Sequence, residues 1–381
     1  MDIKKWGVLV RECSYIPDNL KFCSSDEICV DEIGDGNLNV VLRVYTKDGR
    51  SVIVKHSLPY IKCLGEGYPL GVARIDAEYK ALVKFHQLAP GCVPQPYFFN
   101  KQHNAVYLED LEGYNILQQN LISGQFDQKI AENLGQSLAT VHSKTHIGKI
   151  GEDAINELFL HLDNSTMVGL TAEYVFTKPF NKPDDTNKCS PEVSERLNLL
   201  YEDENVLSAA KALCKIFTEK KECLIHGDLH AGSIMVKGTD TRMFDLEFCT
   251  VGPAGYDLGV VLANFIFTYH RHISTEEDND THRVFAYKMV DACKAFVNIY
   301  LENMSESTGN RDEYVSKLLS ETAGFTACEI IRRLIGAAHY PYLDGMPLAE
   351  QDCLDTGTTL LNAYHRIHDI DKFLIIAFKL V

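Results

Sequence analysis

The sequence predicts an α+β fold in two parts: a small antiparallel β-rich lobe over residues 1–110 and a larger, mainly helical lobe over residues 111–381. Three observations carry this reading. A chain of 381 residues, 45% hydrophobic and 24% charged, exceeds one ordinary domain and has ample apolar material for a core. Short β-branched runs separated by polar turns dominate its first part. Apolar residues at helical spacing dominate the remainder.

The elements follow in order. Residues 40–44 are a β-branched run, Lys47-Asp-Gly-Arg50 is a turn, and residues 51–54 return as a second strand. Lys55 stands at the end of that strand. A helix is expected over residues 73–88, then a further strand pair near 97–99 and 105–108. A connector near 109–114 leads into the helical part. There Ile130, Leu134, Leu138 and Val141 recur at helical spacing, as do Phe285, Met289, Ala292 and Phe296, and Cys328, Ile331 and Ile335. One strand-like stretch interrupts it, at about 233–248. The apolar run Phe373-Leu-Ile-Ile-Ala-Phe378 suits packing on a lobe or on a partner.

Charge narrows the function. The balance of 37 Lys+Arg against 53 Asp+Glu, a formal −16, argues against a nucleic-acid binder or a polybasic membrane binder. Any phosphate site must then be built locally, from a few cations, backbone amides or a metal. The 12 cysteines are scattered from Cys13 to Cys353 without a C-x-x-C, as in a reduced intracellular protein. The expected location is cytoplasmic, since the start lacks the apolar core of a signal peptide and no run reaches a membrane span.

The most informative segment is Leu224-Ile-His-Gly-Asp-Leu-His-Ala-Gly-Ser-Ile-Met-Val236, followed by Met243-Phe-Asp-Leu-Glu-Phe248. This is how a phosphoryl-transfer site is assembled. One carboxylate orients the attacking hydroxyl and accepts its proton, and a separate pair holds Mg²⁺ against the nucleotide phosphates. Asp228 is the expected base, with Asp245 and Glu247 as metal ligands. Two positions apart on extended chain, these two side chains would point to one side. A solvated acidic loop is the bland alternative, weakened by the flanking apolar strands. His226 and His230 have the spacing of a zinc pair, but Gly227 argues against the helix this needs. His226 reads instead as a buried brace.

The first lobe offers the nucleotide side. Glu32-Ile-Gly-Asp-Gly-Asn-Leu-Asn39 precedes the first strand of the hairpin, and Gly34 and Gly36 permit close backbone approach to phosphate. It is neither a Walker loop nor a full G-x-G-x-x-G, and it is also an ordinary turn. Lys55 strengthens it: a strand lysine can reach the α/β-phosphates when a helix carboxylate positions it, and Glu78 is the candidate.

This order of parts resembles the protein-kinase-like fold of small-molecule kinases, the aminoglycoside phosphotransferases and choline kinases, and is most similar to the methylthioribose kinases. The matching stretches span nearly the whole chain. Besides the segments above they include Val54-Lys-His-Ser-Leu-Pro-Tyr60, Leu108-Glu-Asp-Leu111, Val175-Phe-Thr-Lys-Pro179, Gly252-Pro-Ala-Gly-Tyr-Asp-Leu-Gly259 and Ile330-Ile-Arg-Arg-Leu-Ile-Gly336. The resemblance implies transfer of the γ-phosphate of ATP to the 1-hydroxyl of methylthioribose in methionine salvage, with Mg²⁺, by a homodimer. It implies ATP contacts by Asn37, Asn39 and Lys55, an adenine-facing hinge at Glu109, Asp110 and Leu111, and nucleotide contact along Asp245, Leu246 and Glu247. It implies that Asp228 is the catalytic aspartate and that Arg332 and Arg333 engage the sugar substrate.

The pattern has departures. Leu246 replaces Pro, Ala231 replaces Thr, and Gly65-Glu-Gly-Tyr-Pro69 carries Tyr68 in place of a Trp; Ser233 stands where wider kinases place an Asn ligand. These bear on substrate preference more than on catalysis. The competing readings are a kinase for another small alcohol or thio-sugar, and a nucleotide-binding scaffold without turnover. An adjacent Arg pair suits an anionic or neutral acceptor better than a cationic one.

Overall fold

β-Branched segments with alternating burial build a five-stranded antiparallel sheet at the N-terminal end of the chain. Its strands are β1 (Ile28–Glu32), β2 (Asn39–Thr46), β3 (Ser51–Ser57), β4 (Pro96–Asn100) and β5 (Ala105–Leu108), in the order β1-β2-β3-β5-β4. The computed structural model describes residues 3–34, 38–60, 62, 65–182, 184–275, 279–304, 310–337 and 339–380. Two compact units divide the chain: Met1–Tyr114 with Arg242–Glu247, and Asn115–Thr241 with Phe248–Val381.

In the first unit, Leu42 and Val44 of β2, Val52 and Val54 of β3 and Tyr107 of β5 share one face. They bury there with Trp6 and Val10 of helix α1 (Lys4–Glu12). Period-two alternation sends Lys55, paired with Val41 and Val106, to the other face. There it meets α2 (Arg74–Leu88), which begins within one residue of the expected position. β3 runs on to Ser57, so Lys55 lies inside the strand and not at its end.

Helices dominate the second unit. They are α3 (Leu117–Ile122), α4 (Gln128–Thr145), α5 (Ile147–Ile150), α6 (Glu152–Leu162), α7 (Ser165–Thr171), α8 (Ser194–Glu202) and α9 (Glu204–Glu219), then α10 (Ala254–Ile273), α11 (Asn279–Asn303), α12 (Arg311–Ile335), α13 (Pro347–Ala363) and α14 (Ile370–Phe378). The three apolar stripes read from the sequence are buried on α4, α11 and α12. α10 is buried along almost its whole length and packs on α11 and α12. Gly259 permits that approach, since a Cβ there would lie 2.8 Å from Thr326 N. In α14, Phe373, Leu374, Ala377 and Phe378 are buried in this unit, and the Phe378 ring meets Tyr269 at 4.9 Å.

The strand content of this unit is richer than the sequence suggested. β7 (Cys223–Ile225) pairs antiparallel with β10 (Thr250–Gly252), β6 (Asn115–Ile116) pairs antiparallel with β8 (Ile234–Lys237), and β9 (Asp240–Met243) begins in this unit and ends in the first. Strands of two to four residues are too short for periodicity to mark them; tertiary pairing makes them. Among the described residues no helix is long and apolar enough to cross a membrane, and the described cysteines are free thiols.

Burial inside α10 has a thermodynamic consequence. His270 is 3% exposed, its Nε2 faces Thr356 Oγ1 at 3.2 Å, and burial lowers its pKa from 6.5 to about 4. The unfolded chain takes up that proton near 6.5 and the folded chain resists it to about 4. The stability due to the neutral ring is therefore full above pH 6.5 and drains as pH falls through this window. Unfolding free energy should drop by about 2 kcal/mol from this residue between pH 7 and 5. Urea titrations should find most of that slope missing in His270→Gln; an unchanged slope would refute the assignment.

Candidate functional site

In the first unit a lysine and three carboxylates converge. Lys55 Nζ donates to Glu78 Oε1 at 2.8 Å and also to Asp245 Oδ1. Glu78 is 1% exposed and its Oε2 has no hydrogen-bond partner among the described residues. Asn39, at the head of β2, donates through Nδ2 to Glu247 Oε2 at 2.8 Å and accepts from Arg74 Nη2 at 3.0 Å. Arg74 Nη1 donates to the carbonyl of Gly71 at 2.8 Å, and its Nη2 also reaches those of Leu38 and Leu58 at 3.1 Å. Glu78, Asp245 and Glu247 each bring an oxygen within 4.8 Å of the others.

The backbone route to this cluster differs from the expected one. Asp245 is left-handed, with φ +67, and Leu246–Phe248 is a 3₁₀ turn, not extended chain. Aspartate tolerates that conformation better than most residues. A reversal at Asp245 followed by a tight turn, not strand alternation, brings the two acidic side chains together.

The charges fit a divalent cation. Burial opposes the charge on Lys55, but Asp245 and Glu78 outweigh it and raise its pKa. Burial and the neighbouring Asp245 push the Glu247 carboxyl up to about 8, against the pull of Lys55 and Arg74. Burial likewise raises Glu78. Three carboxylates thus crowd two cations, and an all-oxygen donor set suits a hard ion such as Mg²⁺. Among the described residues this is the one cluster of three or more metal-type ligands; His226 and His230 form no such group.

The other predicted residues of this unit are placed as follows. Asn37 and Gly36 lie outside the described residues. Glu109 Oε2 accepts from Gln95 N at 3.0 Å, and Asp110 is paired with Arg43 Nε at 2.5 Å. Leu111 is half-buried, its carbonyl accepting from Tyr114 N at 3.1 Å, and Leu246 is fully buried. Tyr68 is exposed.

In the second unit the His-Gly-Asp turn leaves β7 and is tied to α10. Asp257 accepts from His226 N at 2.6 Å and Gly227 N at 2.9 Å. Gly227 has φ +85, and a Cβ there would lie 2.2 Å from Phe248 O, so only glycine fits. His226 is fully buried and its Nδ1 accepts from Asp228 N at 3.4 Å, the bracing role expected of it. His230 Nδ1 accepts from Gly232 N at 2.9 Å, which leaves Nε2 facing Asp228 Oδ2 at 3.5 Å and Ser233 Oγ at 3.3 Å.

Arg332 and Arg333, in the last turn of α12, both reach Asp228 Oδ1, at 2.9 and 3.3 Å through their Nη2 atoms. Behind them Glu329, fully buried, accepts from Arg332 Nε at 2.5 Å and Arg333 Nε at 2.8 Å. Burial alone would raise the Asp228 carboxyl; His230, then Arg332 and Arg333, outweigh it and hold it well below the usual carboxylate range. Burial is likewise overcome at Glu329 by the same two guanidinium groups. The result is a half-buried, ionised carboxylate fixed at one oxygen by two arginines.

Sequence reasoning missed Arg74, Asp257 and Glu329. Each has a legible signal: a charge inside or at the head of an otherwise apolar helical run must be paired if the helix is buried.

Comparison with known proteins agrees with this picture. The model of the phosphotransferase enzyme family matches residues 30–283. The methylthioribose kinase of Bacillus pumilus (strain SAFR-032) is 31% identical over 358 residues, covering 90% of this chain and 89% of that protein. The methylthioribose kinase of Bacillus cereus (strain 03BB102) is 31% identical over 378 residues, covering 96% and 94%. Among solved structures, choline kinase from Cryptosporidium parvum Iowa II shares the fold, with a TM-score of 0.51 at 14% identity over 98% of this chain and 96% of that one. With two-thirds of its length under one family model and near-complete coverage by relatives at this identity, the chain belongs to the phosphotransferase enzyme family and is a kinase acting on an alcohol group.

Proposed function

We propose that this kinase transfers the γ-phosphoryl group of ATP to the 1-hydroxyl of 5-methylthioribose, a step of methionine salvage. The observation that carries the reading is the convergence of Arg332 and Arg333 on Asp228. An acceptor site lined by two guanidinium groups disfavours a cationic amino alcohol and suits a neutral sugar with developing phosphate charge beside it. The name shared by the bacterial relatives supports the same acceptor.

In this reading Asp228 is the base. Its depressed pKa keeps it ionised, so it holds the acceptor O–H as a hydrogen-bond donor and takes its proton as the oxygen–phosphorus bond forms and the bond to the departing nucleotide breaks. Arg332 and Arg333 fix the carboxylate and face the charge that accumulates on the phosphoryl oxygens. Lys55, set by Glu78, reaches the nucleotide phosphates together with Asn39 and Asn37, while Glu109, Asp110 and Leu111 meet the adenine. Asp245 and Glu247 would hold Mg²⁺, which when bound would supply charge neutralisation to the phosphates, and Leu246 would contact the nucleotide. The N-terminal lobe thus binds nucleotide and the C-terminal lobe carries catalysis and the acceptor. The family resemblance extends the reading to a homodimer, and the acidic charge balance to a cytoplasmic protein without nucleic-acid or membrane partners.

The test is ATP consumption with Mg²⁺, comparing methylthioribose, ribose, choline and homoserine. Selective activity on methylthioribose is the expected result. Activity on another alcohol alone would move the acceptor class, and nucleotide binding without turnover would favour a scaffold. Asp228→Asn should lower kcat by about 10²–10⁴ while nucleotide affinity, measured by fluorescence titration, stays within about twofold; near-normal turnover would sink the base assignment. Glu329→Ala should cost about 3–5 kcal/mol in urea unfolding, because it leaves two buried guanidinium groups without their main counter-charge. A loss below about 1 kcal/mol would mean that Glu329 is not their anchor.

A further inference from the structure

Beside the Asp228 cluster lies an aromatic residue that the sequence reading gave no role. Tyr340 is 5% exposed, and its backbone N–H donates to the Arg333 carbonyl at 3.2 Å. Its ring lies under the Arg333 guanidinium, 4.4 Å from centroid to carbon. It meets His230 edge to face at 5.5 Å, and Phe267 and Tyr342 pack on it at 5.8 and 5.2 Å. The ring is therefore held by two members of the cluster around Asp228 and by two aromatic side chains. Its phenolic oxygen, though buried, has no hydrogen-bond partner among the described residues.

A buried hydroxyl left unpaired costs about 1–3 kcal/mol, and a phenylalanine would fill the same aromatic site without that cost. The hydroxyl is also a poor acid here: burial pushes its pKa well above the usual phenol range, although Arg333 pulls the other way. It remains a neutral O–H, able to donate to an alcohol or ether oxygen and to accept from an alcohol O–H.

We infer that Tyr340 is a specificity-determining residue of the acceptor site, its unpaired hydroxyl bonding an oxygen of a sugar acceptor bound at Asp228 while its ring holds Arg333 in place. This rests on the proposed reading that Asp228 and the Arg pair face the acceptor, and it adds the residue that recognises a polyhydroxyl acceptor beyond the reacting oxygen.

The experiment is Tyr340→Phe, read in three ways. Melting temperature should stay level or rise by about 2 °C, because an unpaired group is removed. Methylthioribose affinity by calorimetry should fall about two- to twelvefold, one neutral hydrogen bond's worth. ATP affinity should stay within about twofold. A purely structural tyrosine would lose melting temperature without the selective loss of acceptor binding. The inference is overturned if melting falls by several degrees, since the hydroxyl would then have a partner in the free protein, or if acceptor affinity is unchanged. If wild-type protein binds methylthioribose or ribose without turning either over, the reading of methylthioribose as the acceptor fails and calorimetry on the variant still decides the role of Tyr340. If wild-type protein binds neither sugar, both fail.

Discussion

The shared carboxylate of Glu329 is the contact on which the charge balance around Asp228 depends. Two arginines at adjacent positions of a buried helix repel one another and lose hydration together. One fully buried glutamate, a turn earlier on the same helix, meets the Nε edge of both. Their Nη2 atoms both reach one oxygen of Asp228, while Arg332 Nη2 also donates to Glu329 Oε1 at 3.1 Å. Without Glu329, Asp228 alone would have to balance two cations. With it, two acids balance two bases, and the second oxygen of Asp228 stays beside His230.

Orientation of Asp228 comes from a second buried acid. Asp257 spends its oxygens on the backbone N–H groups of His226 and Gly227, the two residues that lead into Asp228. Helix α10 thereby sets the turn, and α12 sets the charge around its product. Since α10 and α12 pack closely through Gly259, both settings derive from one helical core. A half-buried carboxylate on a loop gains the rigidity of a helix pair this way.

The first unit solves the opposite problem. Its cluster carries more acid than base: Glu78, Asp245 and Glu247 against Lys55 and Arg74. The surplus appears as a Glu247 carboxyl pushed to about 8 and an oxygen of Glu78 unpaired among the described residues. Balanced charge in one unit suits holding an ionised carboxylate in place, and excess negative charge in the other suits gathering a cation.

Residue order determined much of this. Alternating and helical apolar spacing marked the hairpin, α2, α4, α11 and α12, because burial of one face imposes its period on the sequence. The motif order marked Lys55, Glu78, Asp228, Asp245 and Glu247, because each chemistry needs particular functional groups, and the family resemblance added Arg332 and Arg333. Tertiary structure alone decided the rest. The two-to-four-residue strands exist only through their partners, and the left-handed Asp245 turn has no periodic signature. Glu329, Asp257 and Arg74 acquire their roles from neighbours distant in the chain or from helix geometry. Sequence fixes what each side chain can do, but which charge balances which is a property of distance and burial, and these exist only once the chain has folded.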